Sequence, residues 1–410
     1  MIAPEPFFEP RGTPFSEFHR IRALTALGHT VDLVTYPFGH NVDMPGLRIF
    51  RSLRPPFLNG VKVGPSLAKI PLDALLTLTA CRLAASGHYD AVHSHEEGGL
   101  IGVVLAALLR VPHLYDMHSS LPEQLGNFAY TRSTILRTLF RQVERMMIRR
   151  SRVVVVICPS LEATVREIDQ RATVVLIENA PGSMDRPASA SDAAMMRQAL
   201  GLSAETPVVL YTGTFEAYQG LDLLFQAMAD VQRRRPDARL VLVGGKPQQI
   251  EHAKALAESA GVTAVTVFVG ERPASEIPVY LEASSVLVSP RSKGTNTPLK
   301  IYQYLRAGRP IVATRLLTHT QVLNDETAIL TGTSAVEFAE GILAVLGDAA
   351  RGRSIAGKAR ELANTKYSDE AYLERTRRAC AALFAGPQST APAADVNDRK
   401  DVSEVKASRT

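Results

Sequence analysis

The chain has 410 residues, 46% hydrophobic and 21% charged, with a net charge of +5 and a mean hydropathy of +0.01. That length calls for two cores of ordinary domain size, and that balance excludes an integral membrane protein and a disordered scaffold. Cys81, Cys158 and Cys380 are odd in number, widely spaced and form no C-x-x-C pair; this excludes a disulfide framework and a zinc site and fits a reducing cytoplasm.

The opening MIAPEPFF leaves almost no room for the strand that should begin a parallel sheet, so a true start further upstream is expected. No basic segment followed by an apolar one marks a secretory signal. Gly12, in EPRGTPFSEFHRIRAL, opens the first helix in a loop facing the cleft, where a missing Cβ leaves room for acceptor or donor. Gly28 ends that helix, and His29 reads as structural. Strand candidates follow at HTVDLVTY, LRIF, DAVHSH, HLYDMH, VVVVICPS and TVVLIEN, with helical stretches between most of them. The apolar run from Gly98 to Leu109, closed by Arg110, falls short of the roughly 20 residues a membrane span needs and reads as a buried helix.

Ligands of open parallel sheets bind at the carboxyl ends of strands. His95 ends one strand in HSHEEGG and His118 another in YDMHSSLPEQL. Two histidines two apart face one side of a strand without a third ligand in reach, so no metal is expected. Polar contact with an acceptor at His95, and with a sugar hydroxyl or phosphate at His118, is preferred. Arg137, Arg141, Arg145 and Arg149 recur every four residues opposite Leu139, Val143, Met146 and Met147. Such a basic amphipathic helix either rests on an anionic membrane or packs its apolar side inward.

APGSMDRPASASDAA, from Ala180, reads as a linker with the domain boundary at Met184, which divides residues 1–183 from 184–366. The second half repeats the scheme with PVVLYTGT, ARLVLVGG, VTVFVG, SVLVSPR, PIVATR and a weaker AILTG. Gly213 and Thr214, after its first strand, precede a helix near Gln219, where backbone N–H groups can meet a phosphate. In PRSKGTNTPLKIYQYLRAG, Thr297 reads as an N-cap and Pro298 as the first helical residue, which puts Lys300 in the first turn. A cation is disfavoured at the positive end of a helix, so Lys300, with Arg291 and Lys293 close by, implies an anion such as a diphosphate. Gln303 lies one turn beyond Lys300 on the same face, and Thr295 and Asn296 belong to the same donor loop. After Gly386 the composition is that of a disordered tail, 387–410. Nothing favours nucleic acid: there is no motif and no interleaving of aromatic with basic residues.

Taken together, PLKIYQYLRAGRPIVAT, the RGTP loop, LGHTVDLVTY, IENAP and YTGTFEAYQGLDLL resemble the family 4 retaining glycosyltransferases of the GT-B fold, from about Pro4 to Leu383. The resemblance implies two Rossmann-like, doubly wound α/β domains facing a cleft. It implies a nucleotide-diphosphate sugar held mainly by the C-terminal half and a carbohydrate or lipid-linked acceptor held mainly by the N-terminal half. A helix within 367–386 would cross back onto the first domain. Hexosyl transfer would proceed with retention and without a metal or other cofactor, in envelope polysaccharide or glycolipid synthesis on the cytoplasmic side of the membrane. The family's paired glutamates fall here on Thr295 and Gln303, so the carboxylates are missing, and the arginine and lysine of many members fall near Thr214 and Gln219. Phosphate charge would then rest on Lys300, Arg291 or Lys293, with His118 orienting the sugar. A nucleotide-sugar epimerase, or a binding protein without turnover, are the competing readings.

Overall fold

Runs of valine, isoleucine and leucine can be buried on both sides of a sheet only if helices cover both sides, and helical crossovers make the strands parallel. The computed structural model describes residues 1–8, 12–61, 66–122, 133–178 and 188–385, and it contains two such sheets. The first is built from β1 (Ile2–Ala3), β2 (Val31–Thr35), β3 (Leu47–Arg51), β4 (Val92–His95), β5 (His113–Met117), β6 (Val153–Val156) and β7 (Val174–Leu176), in the order β3-β2-β1-β4-β5-β6-β7. The second holds β8 (Val208–Thr212), β9 (Arg239–Val243), β10 (Thr266–Gly270), β11 (Val286–Ser289), β12 (Ile311–Thr314) and β13 (Ile329–Thr331), in the order β10-β9-β8-β11-β12-β13. Each strand expected from the sequence forms. β1 is two residues long yet central, with Ile2 opposite Val34 on one side and Ser94 on the other.

Both orders reverse direction once, between β1 and β4 and between β8 and β11. At such a point the connecting helices leave on opposite sides and a crevice opens at the carboxyl ends of the strands. In the first half Glu5 and Glu96 follow the two strands; in the second, Gly213 and Pro290 do. The alternation of side chains across a strand divides the second core in two. Val209, Tyr211, Leu240 and Leu242 join Phe225, Met228 and Phe338 on one face, while Leu210, Val241 and Val243 meet Tyr304, Leu305 and Tyr367 on the other.

Two local expectations change. Ser189 and Asp192 form a capping box that starts a helix over Ala190–Ala199, so the later part of the supposed linker is helical; the boundary at Met184 and the tail 387–410 lie outside the described residues. The helix Gly98–Leu109 buries one face through Gly99, Gly102 and Leu105 but leaves Leu100, Val104 and Leu108 exposed. Among the described residues no helix is long and apolar enough to cross a membrane.

The final helix, Asp369–Phe384, is capped by Ser368 and packs on the first sheet: Tyr372, Ala379 and Leu383 share a cluster with Leu114, Val153 and Val155. Arg375 donates to the buried Glu178 at 2.8 Å. His29 follows Gly28 (φ 88°) and stacks on Phe384, which makes it structural.

The loops after β8 and β11 touch at Gly220, which has φ 75° and whose added Cβ would lie 2.0 Å from the Pro290 carbonyl oxygen. Gly220→Ala is expected to cost about 1–3 kcal/mol, measured as a shift of the urea midpoint; an unchanged midpoint would show that the two loops separate freely.

Candidate functional site

The second crevice is organised by the helix Leu299–Ala307. Pro298, not Thr297, is its N-cap and Leu299 its first residue, one position later than expected; no side chain caps it. Pro298 holds an extended conformation (ψ 134°) that cannot continue a helix backwards, and Gly308 in the left-handed region ends the helix. Ile301, Tyr302, Tyr304 and Leu305 bury its inner face. The Tyr304 hydroxyl accepts the Thr212 backbone N–H at 2.9 Å, which ties this helix to the end of β8.

Lys300 thereby enters the crevice. Its ammonium is buried, has no hydrogen-bond acceptor, and sits 3.7 Å from the centre of the Tyr211 ring, beside Gly213. Burial and then Arg291 push it well below its ordinary value of 10.5. Arg291 donates through Nη1 to the Asn296 carbonyl at 2.7 Å and to Thr318 Oγ1 at 2.8 Å, stands over the Tyr218 ring, and keeps a buried Nε without an acceptor. Burial lowers Arg291 also. Among the described residues neither cation has a carboxylate partner. A buried lysine and a half-buried arginine with only neutral partners are an arrangement suited to an anion, since a dianion would supply the countercharge and acceptors that the protein withholds.

The other donor-loop residues divide. Gly213 and Thr214 are exposed at the crevice mouth, with Thr214 Oγ1 accepting from Gln219 at 3.3 Å. Lys293 is exposed, unlike the buried Lys300 and the half-buried Arg291, and Gln303 is half-buried on the helix. Thr295 and Asn296 bridge the halves: Asn296 Nδ2 donates to the His118 carbonyl at 2.8 Å, and the Thr295 carbonyl accepts from Gln321 at 2.6 Å. Gln321 in turn accepts the Ser160 N–H at 2.8 Å. Thr314, Thr318 and His319 escape sequence reasoning. Thr314 Oγ1 donates to the Arg291 carbonyl at 2.7 Å. His319, which burial lowers to about 3, links Ser289 at 2.9 Å to Thr314. The only signal for them was their place at the end of PIVAT, which closes on Thr314, or just beyond it.

On the facing side, His118 is buried, with Nδ1 unpartnered and Nε2 3.1 Å from His95 Nδ1 and 3.3 Å from Asp116. Asp116 corrects the expectation that no third ligand lies near the histidines, since His93, His95 and Asp116 converge within 4.8 Å. Burial alone would raise Asp116; Arg20, donating at 2.8 Å, and then His118 and His95 overcome that and hold it well below its usual range. Arg20 thus already fills the role a cation would play for Asp116. Gly12 is the first residue of the helix Gly12–Ala26; residues 9–11 before it lie outside the described residues.

Comparison with known proteins decides the family. Residues 19–180 match the model of a glycosyl transferase 4-like domain and residues 206–348 that of glycosyl transferases group 1. The chain belongs to the family 4 glycosyltransferases of the GT-B fold. Among curated relatives it is 25% identical over 274 residues to a D-inositol 3-phosphate glycosyltransferase of Corynebacterium diphtheriae, covering 63% of each chain. It therefore spans under two thirds of that relative's length. A sucrose-phosphate synthase of Thermosynechococcus elongatus superposes with a TM-score of 0.75 at 22% identity, covering 93% of this chain and 98% of the other. HepE of Anabaena, solved with UDP, superposes at 0.71 with 16% identity and the same coverage. These structural likenesses establish the fold of the glycosyltransferase.

A lowered folded pKa means that the unfolded chain holds the Lys300 proton more tightly. The empty protein therefore gains stability as pH rises through the folded value toward 10.5, and lacks that gain below it. Lys300→Met should raise the stability of the empty protein by about 1–3 kcal/mol and remove any nucleotide-induced rise in melting temperature. A destabilised variant would mean that Lys300 is already satisfied.

Proposed function

We propose that this glycosyltransferase moves a hexosyl group, with retention and without an essential metal, from a nucleotide-diphosphate sugar to a carbohydrate or lipid-linked acceptor of the cell envelope. The observation that carries this reading is the pair of the buried Lys300 and the half-buried Arg291 at the β8/β11 switch point, with no carboxylate partner among the described residues. As the bond between the anomeric carbon and the diphosphate oxygen breaks, negative charge grows on that oxygen. Preorganised cations stabilise it more than the ground state, which is where rate is gained. The acceptor hydroxyl then bonds to the same carbon, and its proton passes to the departing phosphate oxygen, so no protein base is needed. His118, with its free Nδ1 and its carbonyl held by Asn296, orients the sugar between the halves. UDP in HepE is consistent with a nucleotide donor. Metal independence rests on the Arg20–Asp116 pair, which leaves the His93–His95 group without a free carboxylate charge.

A thermal-shift screen against UDP, GDP, ADP, CMP and dTDP, free and as sugar conjugates, tests the donor. One nucleotide at about 100 times its Kd should stabilise by roughly 2.7 kcal/mol, and Lys300→Ala should lower turnover by about 10² while EDTA leaves it intact. No shift with any nucleotide would sink the reading.

Peripheral attachment to an anionic membrane is the second part of the proposal. The helix Thr134–Arg150 sends Met147 and Ile148 inward but leaves Ile135 and Leu139 exposed at 83% and 56%, with Arg137, Arg141 and Arg149 on the same helix. Exposed apolar side chains beside arginines suit an anionic bilayer surface. Flotation with phosphatidylglycerol liposomes should carry the protein upward, and Ile135→Glu with Leu139→Glu should abolish this; protein wholly in the soluble fraction would exclude attachment.

A further inference from the structure

The large apolar side chains left outside the cores are unevenly spread. In the second half and on the final helix, Met195, Tyr218, Leu317, Val336 and Phe384 each stand exposed on a different element, which is ordinary for a folded surface. Three helices on one face of the first sheet differ. Leu72 and Leu76 of the helix Lys69–Ser86 and Leu105 of Gly98–Leu109 pack together on Ile2, Val34 and Val92. Gly99 brings the second of these helices so close to Thr134–Arg150 that an added Cβ would lie 2.6 Å from Met147 Sδ. The three helices therefore lie side by side. Their outer sides carry Ile70 and Leu78, then Leu100, Val104 and Leu108, beside Ile135 and Leu139. Spacings of four and eight residues align each set along its helix, so the exposed groups form one apolar layer.

The medium this layer suits follows from what it lacks. Gly98–Leu109 has no polar side chain, although the sheet covers only one side of it and Leu108 is 73% exposed. A helix apolar all round belongs in a core or in hydrocarbon. In Lys69–Ser86 the hydroxyls of Thr77 and Thr79 donate back to the carbonyls of Asp73 and Leu75 at 2.7 and 2.9 Å, so those protons are not offered outward. A protein partner exchanges about one hydrogen bond per 100–200 Å² of contact, whereas hydrocarbon asks for none. Charge then separates a bilayer from a second copy of the chain. The exposed charges of the three helices are Arg82, Arg137, Arg141, Arg149 and Arg150. Their two carboxylates are engaged within the fold, Asp73 accepting from Tyr36 and Glu144 from the Leu121 N–H. Two such faces repel each other, while an anionic bilayer attracts the arginines and takes up the leucines.

The layer also reaches the first crevice. Lys69 hydrogen-bonds Glu97, which lies just beyond β4, and Gly98 follows directly. Thr134–Arg150 ends just before β6 begins, so its first turn lies at the carboxyl ends of the strands. Ile70, Leu100 and Ile135 are thus the crevice ends of the three stripes.

We propose that the whole outer face of these three helices lies in an anionic bilayer, with the helix axes along its surface and the β1/β4 crevice at the level of the headgroups. The inference deepens the attachment proposed for Thr134–Arg150 and rests on the anionic bilayer of that reading. An acceptor sugar carried on a lipid then meets the crevice without leaving the membrane. The chain contains no tryptophan, so Ile70→Trp, Leu108→Trp, Leu139→Trp and, on the second domain, Val336→Trp each place a single fluorophore in the full-length protein. With phosphatidylglycerol vesicles the first three should shift their emission to shorter wavelength and be quenched by brominated acyl chains, and Val336→Trp should do neither. Phosphatidylcholine vesicles should leave all four unchanged. Val104→Glu with Leu108→Glu should weaken binding to phosphatidylglycerol vesicles roughly tenfold or more, at an unchanged melting temperature. A response from Leu139→Trp alone, or binding untouched by the glutamate pair, would confine contact to Thr134–Arg150 and overturn the inference while leaving the attachment in place. A response from Leu108→Trp without Ile70→Trp would turn the crevice away from the bilayer and overturn it as well. Absence of vesicle binding would remove both.

Discussion

A buried ionisable group without a partner is the constraint around which both halves are arranged. An ammonium or carboxylate removed from water costs several kcal/mol unless donors or acceptors replace its hydration. A domain whose net stability is about 5–15 kcal/mol tolerates few such groups. Lys300 and Glu17 are two of them, and each lies where a parallel sheet reverses its strand order.

The partners around the cations are themselves chosen to leave charge uncancelled. Arg291 is held by a carbonyl and a hydroxyl, its backbone by Thr314, and Lys300 by the face of Tyr211. Each contact fixes position without neutralising. His319 serves the same end: because burial keeps it uncharged, it can link Ser289 to Thr314 without adding a third cation to the crevice. The halves are then joined by bonds from the same loop, since Asn296 both receives Arg291 and donates to the carbonyl of His118. A shift of the donor loop is therefore felt at the histidine on the other side.

How much of this was legible follows from what each residue type signals. Strands buried on both faces read as dense β-branched runs, so the sheets could be written down from VVVV or LVLV alone. Lys300 stood out because a cation in a first helical turn is locally unfavourable. The capping of that helix was misread by one residue, since Thr-Pro satisfies the usual N-cap signature whether or not its hydroxyl is used. β1 was illegible because two residues carry no periodicity. Glu17, Glu96 and Glu97 sit in no pattern that sets them apart, and Asp116 gave no sign of meeting the histidines of β4, because adjacency across a parallel sheet is invisible along the chain. For Asn296 the decisive partner is a backbone carbonyl, which every residue possesses.

The missing glutamates take on meaning beside the unpaired cations. Thr295 and Gln303 occupy the positions where the family resemblance places carboxylates. Thr295 contributes its carbonyl, bonded to Gln321. A carboxylate in reach of Lys300 or Arg291 would pair with it, raise the lysine toward its ordinary value and spend part of the positive field before any ligand arrived. A hydroxyl and an amide do neither, and the amide of Gln303 can donate as well as accept. The substitutions thus leave the positive potential at the β8/β11 crevice uncancelled by a carboxylate at either position. The corresponding cost is borne by the empty protein, in which that potential has nothing to act upon.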